Sequence, residues 1–322
     1  MNPASSPIEK AQALSSDVAS WQNEVKEILR DFLNRSMTTS DGFRPAGTYD
    51  GGKLYQDVSR KVADFVEAAG DDPTFIQKLS VLSCDLATIS YGHTSFEHQY
   101  YIALYNACLT YVDDLGHRHL EAVSQFSRRF VAGEKQLNPA LDVLTDLLKQ
   151  SYDLWPQVGA DVIISGTLEG VTAMYVECTT GDMTVTPRAA WWSNYIRIKV
   201  GICPPYAHFN FMKSWRSTPD SYLLLLPYME FFIAAANDVL SFYKEHLAGE
   251  AKNYIQTRAT TDQTTPIDML RLLADETIAC AQRPRELIGS EDPELMAIWH
   301  SFEQGYVACH VKTPRYRLAD LM

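Results

Sequence analysis

Only six cysteines occur in 322 residues (Cys84, Cys108, Cys178, Cys203, Cys280 and Cys309), and no two form a CxxC pair. Neither a disulfide framework nor a four-cysteine zinc site is therefore written into the chain. Free buried thiols in a reducing, cytoplasmic setting are the expectation. Glycine (16) and proline (15) are sparse and fall at turn-like places, so no linker divides the chain, and internal repeats and low-complexity tracts are absent. GxGxxG, Walker and GxSxG patterns are missing, which removes the usual sequence support for nucleotide-binding sandwiches and α/β hydrolases. Basic residues number 28 against 40 acidic ones, for a net charge of −12. With no clustered Lys/Arg run, a nucleic-acid surface is excluded. An anionic ligand is not, because bound divalent cations invert the local electrostatics. The amino terminus lacks an apolar core of the secretory kind. The apolar run from Leu223 to Leu240 is interrupted by Pro227 and Glu230, which argues against a membrane span.

What the chain does have is apolar content, 46%, arranged with helical rather than strand periodicity. Residues 1–15 read as a flexible tail and 16–322 as one all-α domain, with Ser16 or Asp17 capping a first helix striped by Trp21, Val25, Ile28, Leu29 and Phe32. A Gly/Pro-rich turn, GFRPAGTYDGG, follows. Further helices are expected over Leu54–Ala69, Pro73–Ser90, the aromatic-rich stretch from Phe96 to Asp114, Leu137–Leu154, Asp161–Cys178, Ala189–Gly201, Tyr222–Glu245, Pro266–Gln282 and Pro293–Lys312. Gly166 and Gly170 interrupt one of them, where close packing is the expected reason. AKNYIQTRATTDQTTP reads as a polar loop. The sum is a bundle of about ten or eleven helices.

Three places carry chemistry. In NDVLSFYKE, Asn237, Ser241 and Glu245 stand at i, i+4 and i+8, so an amide oxygen, a hydroxyl and a carboxylate fan across about 80° of one helix face. This all-oxygen set suits a hard octahedral cation such as Mg²⁺. The preceding LLLLPYMEFFIAAA is too apolar for a surface helix, so the trio faces a cavity. Lys244 is a donor for a bound anion there. The second place is Asp113–Asp114 at the end of an apolar helix, where the macrodipole disfavours negative charge and a cation or arginine must compensate. His117 and His119 form an HxH pair with no third ligand assigned, which gives little support to a zinc site. Third, Arg197 stands four residues before Gly201, with Pro204 and Pro205 behind it. A helix broken there beside a cavity frees backbone carbonyls.

The pattern N-D-x-x-S-x-x-K-E resembles the second metal motif of class I terpene cyclases, in particular the fungal trichodiene synthase-like sesquiterpene synthases. The DDLGH and GYVACHVKTPRYRL segments match the same family in order. The resemblance implies a helical bundle around an apolar cavity. It implies that Asp113, Asn237, Ser241 and Glu245 hold three Mg²⁺, with Asp114 and Asp238 behind them as supporting carboxylates. Arg197 is then the diphosphate sensor, Gly201 the carbonyl end that assists ionisation, and Arg197, Lys244, Arg315 and Tyr316 the diphosphate contacts. The implied substrate is farnesyl diphosphate, cyclised to a hydrocarbon or alcohol, and a homodimer is implied as well. Helix geometry adds Asn106, Leu109 and Ile233 as cavity wall, and the resemblance adds Tyr306. Asn106 takes a place where the trichodiene synthase type carries an aromatic, which implies a different product. A catalytically silent prenyl-diphosphate-binding protein, or a chain-elongating prenyl diphosphate synthase, is the alternative; the second needs two aspartate-rich motifs, and here the second is of the Asn/Ser/Glu type.

Overall fold

The computed structural model describes residues 7–37, 52–216, 220–250 and 252–321. Among these there are fourteen α-helices and no strand. In chain order they are α1 (Pro7–Ser36), α2 (Lys53–Ala69), α3 (Thr74–Asp85), α4 (Phe96–Leu115), α5 (Leu120–Ala132), α6 (Pro139–Leu154), α7 (Gln157–Thr179), α8 (Trp192–Val200), α9 (Cys203–His208), α10 (Asp220–Leu223), α11 (Leu226–Leu247), α12 (Tyr254–Asp262), α13 (Pro266–Ile288) and α14 (Pro293–Lys312). None is long and apolar enough to cross a membrane.

Helix starts follow local chemistry. Asn138, Thr265 and Asp292 each accept a hydrogen bond from a first-turn N–H, of Ala140 (2.9 Å), Asp268 (3.1 Å) and Leu295 (3.0 Å). In all three a proline occupies the next position, where its missing N–H costs nothing and its φ is already helical. The helices pack on one continuous apolar core. α4 and α11 lie deepest. α4 packs against α2, α3, α6 and α7, and α11 against α9, α13 and α14. Burial on nearly every side explains why α4 is apolar almost all round rather than striped.

Three departures from the sequence expectation have physical reasons. α1 begins at Pro7, inside the stretch expected to be a tail, with Ser16 and Asp17 within the helix rather than capping it. Pro7 suits a first turn, and the EKAQAL that follows is made of strong helix formers. The expected polar loop after α11 contains α12, whose few apolar residues hid it. Its start is capped by Asn253 accepting from the Gln256 N–H (2.9 Å), and Arg258 grips Glu276 of α13 with two bonds (2.6 and 2.8 Å). α13 continues past Gln282 and through Pro284. There Arg285 donates to the Ala281 carbonyl (2.8 Å) and pairs with buried Glu303 of α14, which supports the turn that proline disrupts. The cysteines are unpaired as expected, but Cys178 is exposed and Cys280 half-buried. The GFRPAGTYDGG turn lies outside the described residues except for Gly52.

Three glycine-dependent contacts shape the neighbourhood of the cavity. After α3 the chain winds into a wider, π-type turn, Leu86–Ser90, against which α14 packs at Gly305. A Cβ on Gly305 would lie 2.2 Å from the Ile89 carbonyl oxygen, closer than any side chain tolerates. Between α8 and α9 the chain reverses at Ile202, which adopts the left-handed conformation (φ 48°). α7 makes room for that reversal. A Cβ on Gly170 would meet Ile202 Cγ1 at 2.3 Å, and one on Gly166 would meet the Pro205 ring at 2.7 Å. Close packing is thus the reason for both α7 glycines. Pro204 and Pro205 do not end α8; they open α9.

Candidate active site

α11 carries Asn237, Ser241 and Glu245 along one face, and all three line a cavity of about 210 Å³. Asp113, from the last turn of α4, lines it from the opposite side. The end of α8 contributes Arg197 and Gly201, and the turn after α14 contributes Arg315 and Tyr316. Lys244 completes the polar rim, while Asn106, Leu109, Ile233 and Tyr306 form part of the wall. Every site residue read from the sequence as a direct contact or as wall therefore reaches this cavity. Asp114 and Asp238 line an adjoining polar vestibule of about 620 Å³ that shares Asp113, Arg197, Asn237, Lys244, Glu245 and Arg315 with it.

The two supporting carboxylates each hold an arginine. Arg315 Nη1 and Nη2 donate to the two oxygens of Asp114 (2.8 Å each), with Asp113 Oδ2 3.7 Å away. Arg197 Nε donates to both oxygens of Asp238 (2.9 and 2.7 Å), and its Nη2 donates to the Ala234 carbonyl (3.1 Å) and Asn237 Oδ1 (3.3 Å). Burial pushes the Asp238 carboxyl up to about 6, against the pull of the Arg197 guanidinium, so it stays ionised at neutral pH. Burial also disfavours the Arg197 charge, yet the adjoining Asp238 raises its pKa and keeps it cationic.

Negative charge is in excess at the mouth. Glu177 of α7 is exposed at this mouth; partial desolvation by the surrounding protein and then Asp113 push its carboxyl up to about 7. Partial desolvation at the mouth and then Asp114 raise Asp113, whose side chain is still 53% exposed, with Arg315 and Lys244 acting the other way. Ser241 is buried to 1% exposure, and its hydroxyl has no hydrogen-bond partner in the protein. An unpaired buried hydroxyl between an amide oxygen and a carboxylate, on a helix facing another carboxylate, fits a hard cation with oxygen ligands. Among the described residues, no three His, Cys, Asp or Glu side chains form a metal-holding group. His119 is engaged with Asp71 (3.0 Å) and Tyr111 (3.1 Å).

The family model described as Trichodiene synthase (TRI5) matches residues 68–322. The chain belongs to the trichodiene synthase family. Its relatives include an alpha-cuprenene synthase of Coprinopsis cinerea, 28% identical over 92% of this chain and 90% of that one. A terpene synthase, BipA, of Cochliobolus sativus is 31% identical over 76% of both chains. Among solved structures, the Linalool/Nerolidol synthase of Streptomyces clavuligerus superposes with a TM-score of 0.57, over 83% of this chain and 99% of that one; at 13% identity it shows the shared helical fold. Membership of the trichodiene synthase family makes this chain an enzyme of the terpene cyclase kind.

Sequence reasoning missed Glu177, Tyr206 and His310. Tyr206 lines the cavity and donates to Asn106 Oδ1 (2.8 Å), while Asn106 Nδ2 donates to Ser83 (3.1 Å). His310 lines the cavity beside Asn237. His310 had a signal, since it lies one turn beyond Tyr306 on the same face of α14. Glu177 had a weaker one, as an acid in the last turn of a helix, where the macrodipole disfavours it. Tyr206 had none, because its place depends on the reversal at Ile202.

Proposed function

We propose that this protein is a Mg²⁺-dependent sesquiterpene synthase that ionises farnesyl diphosphate and cyclises the resulting cation to a hydrocarbon or alcohol, releasing diphosphate. The observation that carries the reading is the buried, partnerless Ser241 hydroxyl between Asn237 and Glu245, facing Asp113 across an apolar-walled cavity. In this reading Asp113, Asn237, Ser241 and Glu245 hold three Mg²⁺. When bound, the ions supply Lewis-acid assistance to departure of the diphosphate.

The chain's own residues supply the rest. Arg197 is held by Asp238 with Nη1 uncommitted to that pair, so it can meet a diphosphate oxygen without reorganising. Lys244 and Arg315 add positive charge at the rim, and the Tyr316 hydroxyl, its pKa raised by burial, remains a donor. As the C–O bond breaks, its electron pair leaves with the diphosphate and the allylic cation remains inside. Gly201 lines the cavity at the end of α8, so the negative end of that helix dipole would favour developing positive charge there. Leu109, Ile233 and Tyr306 keep water from the cation. Asn106, held by Tyr206 and Ser83, sets a fixed polar point in that wall and so biases which conformer cyclises.

The test is incubation with geranyl, farnesyl and geranylgeranyl diphosphates, with and without Mg²⁺, followed by gas chromatography–mass spectrometry. A cyclic fifteen-carbon product that requires Mg²⁺ and disappears in Asn237→Ala and Glu245→Ala supports the proposal. Longer linear diphosphates formed with isopentenyl diphosphate would replace it with chain elongation, and Mg²⁺-dependent binding without turnover would replace it with a silent binding protein.

A further inference from the structure

The orientation of Asn237 is fixed from both sides by groups whose hydrogen-bonding polarity is not in question. On one side, Arg197 Nη2 lies 3.3 Å from Oδ1. A guanidinium only donates, so the atom facing it must be the amide oxygen. On the other side, Asn237 Nδ2 lies 3.2 Å from His310 Nε2. The imidazole's other nitrogen, Nδ1, lies 2.8 Å from the Tyr306 carbonyl oxygen, one turn back on α14. A carbonyl only accepts, so Nδ1 must carry the proton and Nε2 must present a lone pair. That lone pair accepts from the Asn237 amide. Turning the amide over would set Nδ2 against the guanidinium and Oδ1 against an unprotonated nitrogen, losing both bonds at once.

His310 is itself immobilised. It is 2% exposed, with the Tyr306 ring at 4.6 Å and the Tyr316 ring at 4.3 Å from its own. The relay therefore runs from the Tyr306 carbonyl through a single imidazole tautomer to one face of the Asn237 carboxamide. We propose that His310 is a positioning residue: locked as the Nδ1–H tautomer, it holds Asn237 with its oxygen available to the cavity. What that oxygen serves rests on the reading of Asn237 as a Mg²⁺ ligand. The hydrogen-bond polarity does not. Outer partners that orient a ligand are typically worth 10- to 100-fold in metal affinity.

Two measurements on the full chain test this separately. Long-range ¹H–¹⁵N correlation spectra of histidine-labelled protein report the tautomer directly, with His310→Gln assigning the resonance. Nδ1 protonated and Nε2 bare is expected, and a protonated Nε2 overturns the proposal. Calorimetric titration of Mg²⁺ at fixed inorganic pyrophosphate then compares wild type, His310→Leu, which has no acceptor, and His310→Gln, whose amide oxygen can accept from Asn237. The Leu variant is expected to bind Mg²⁺ about tenfold more weakly or worse, and the Gln variant within about threefold of wild type. Equal loss in both variants, or no loss in the Leu variant with its melting temperature preserved, overturns the positioning role. If His310→Leu fails to fold, the tautomer and the Gln variant still decide. A wild type that binds no Mg²⁺ with pyrophosphate sinks the metal reading of the site instead; the tautomer then supports or overturns the orientation of Asn237 by itself.

Discussion

Replacing Asp238 with alanine isolates the cost of presenting Arg197 to the cavity. The two side chains are 16% and 10% exposed, and Nε lies 2.7 Å from the nearer carboxylate oxygen. With charge centres about 4 Å apart and an effective dielectric constant near 20, the attraction is about 4 kcal/mol. That matches the 3–5 kcal/mol typically lost when one partner of a buried pair is removed and the other remains. The two halves are not equivalent. A guanidinium cannot shed its proton, whereas Asp238, already near pH 6, can take one up when Arg197 is gone. Asp238→Ala should therefore cost about 4 kcal/mol, Arg197→Met about 2 kcal/mol, and the double variant less than their sum by about 2–3 kcal/mol. Urea unfolding of the four proteins at pH 7.5 closes the cycle. A coupling below about 1 kcal/mol, or a mild Asp238→Ala, would refute the claim that the pair, rather than the Ala234 and Asn237 oxygens, holds Arg197 in place.

Other outcomes follow from the same geometry. Arg315→Lys loses the two-bond grip on Asp114 and should lower turnover about 10- to 100-fold while the melting temperature moves by less than about 3 °C, as steady-state kinetics and thermal scans would show. Gly170→Ala, with its Cβ 2.3 Å from Ile202, should destabilise by about 1–3 kcal/mol and reduce turnover by displacing the α8–α9 reversal; Gly181→Ala, with open space around it, is the neutral control in the same unfolding assay. His208 is buried, with its pKa pushed down to about 4 by burial. Between pH 6.5 and 4 the unfolded chain binds a proton there that the native state does not, so this residue's contribution to stability falls as pH falls, by about 1.4 kcal/mol per unit. In His208→Asn that slope should vanish, so the stability difference from wild type, measured at pH 7 and pH 5, should shift toward the variant by about 2 kcal/mol.

Much of the site is legible before any coordinates, because its parts are local. Asn237, Ser241 and Glu245 share a face by helix period alone, and Arg197 stands one turn before Gly201 in the same way. Asn138, Thr265 and Asp292, each followed by proline, announce their helices within a few residues. The unread parts depend on distant partners. Ile202 reverses the chain only because Gly170 leaves room for it, 32 positions earlier in the sequence. α12 has a cap but little apolar surface, and the Arg258–Glu276 pair that docks it spans two helices. α13 passes through Pro284 where local rules would stop it. The partners of Glu177 and His310 lie on other helices: the charges around Glu177 are those of Asp113, Arg197 and Asp238, and His310 meets Asn237 of α11.

The Arg315–Asp114 clasp joins residues 201 positions apart. In a chain emerging from the ribosome at about 5–20 residues per second, Asp114 is synthesised about 10–40 s before its partner. For that interval α4 can fold against α2 and α3, but Asp114 lacks the guanidinium that clasps it. The pocket wall also waits for Ile233 and Tyr306, so the helical framework around α4 precedes both the closing of the cavity and the balancing of its charge.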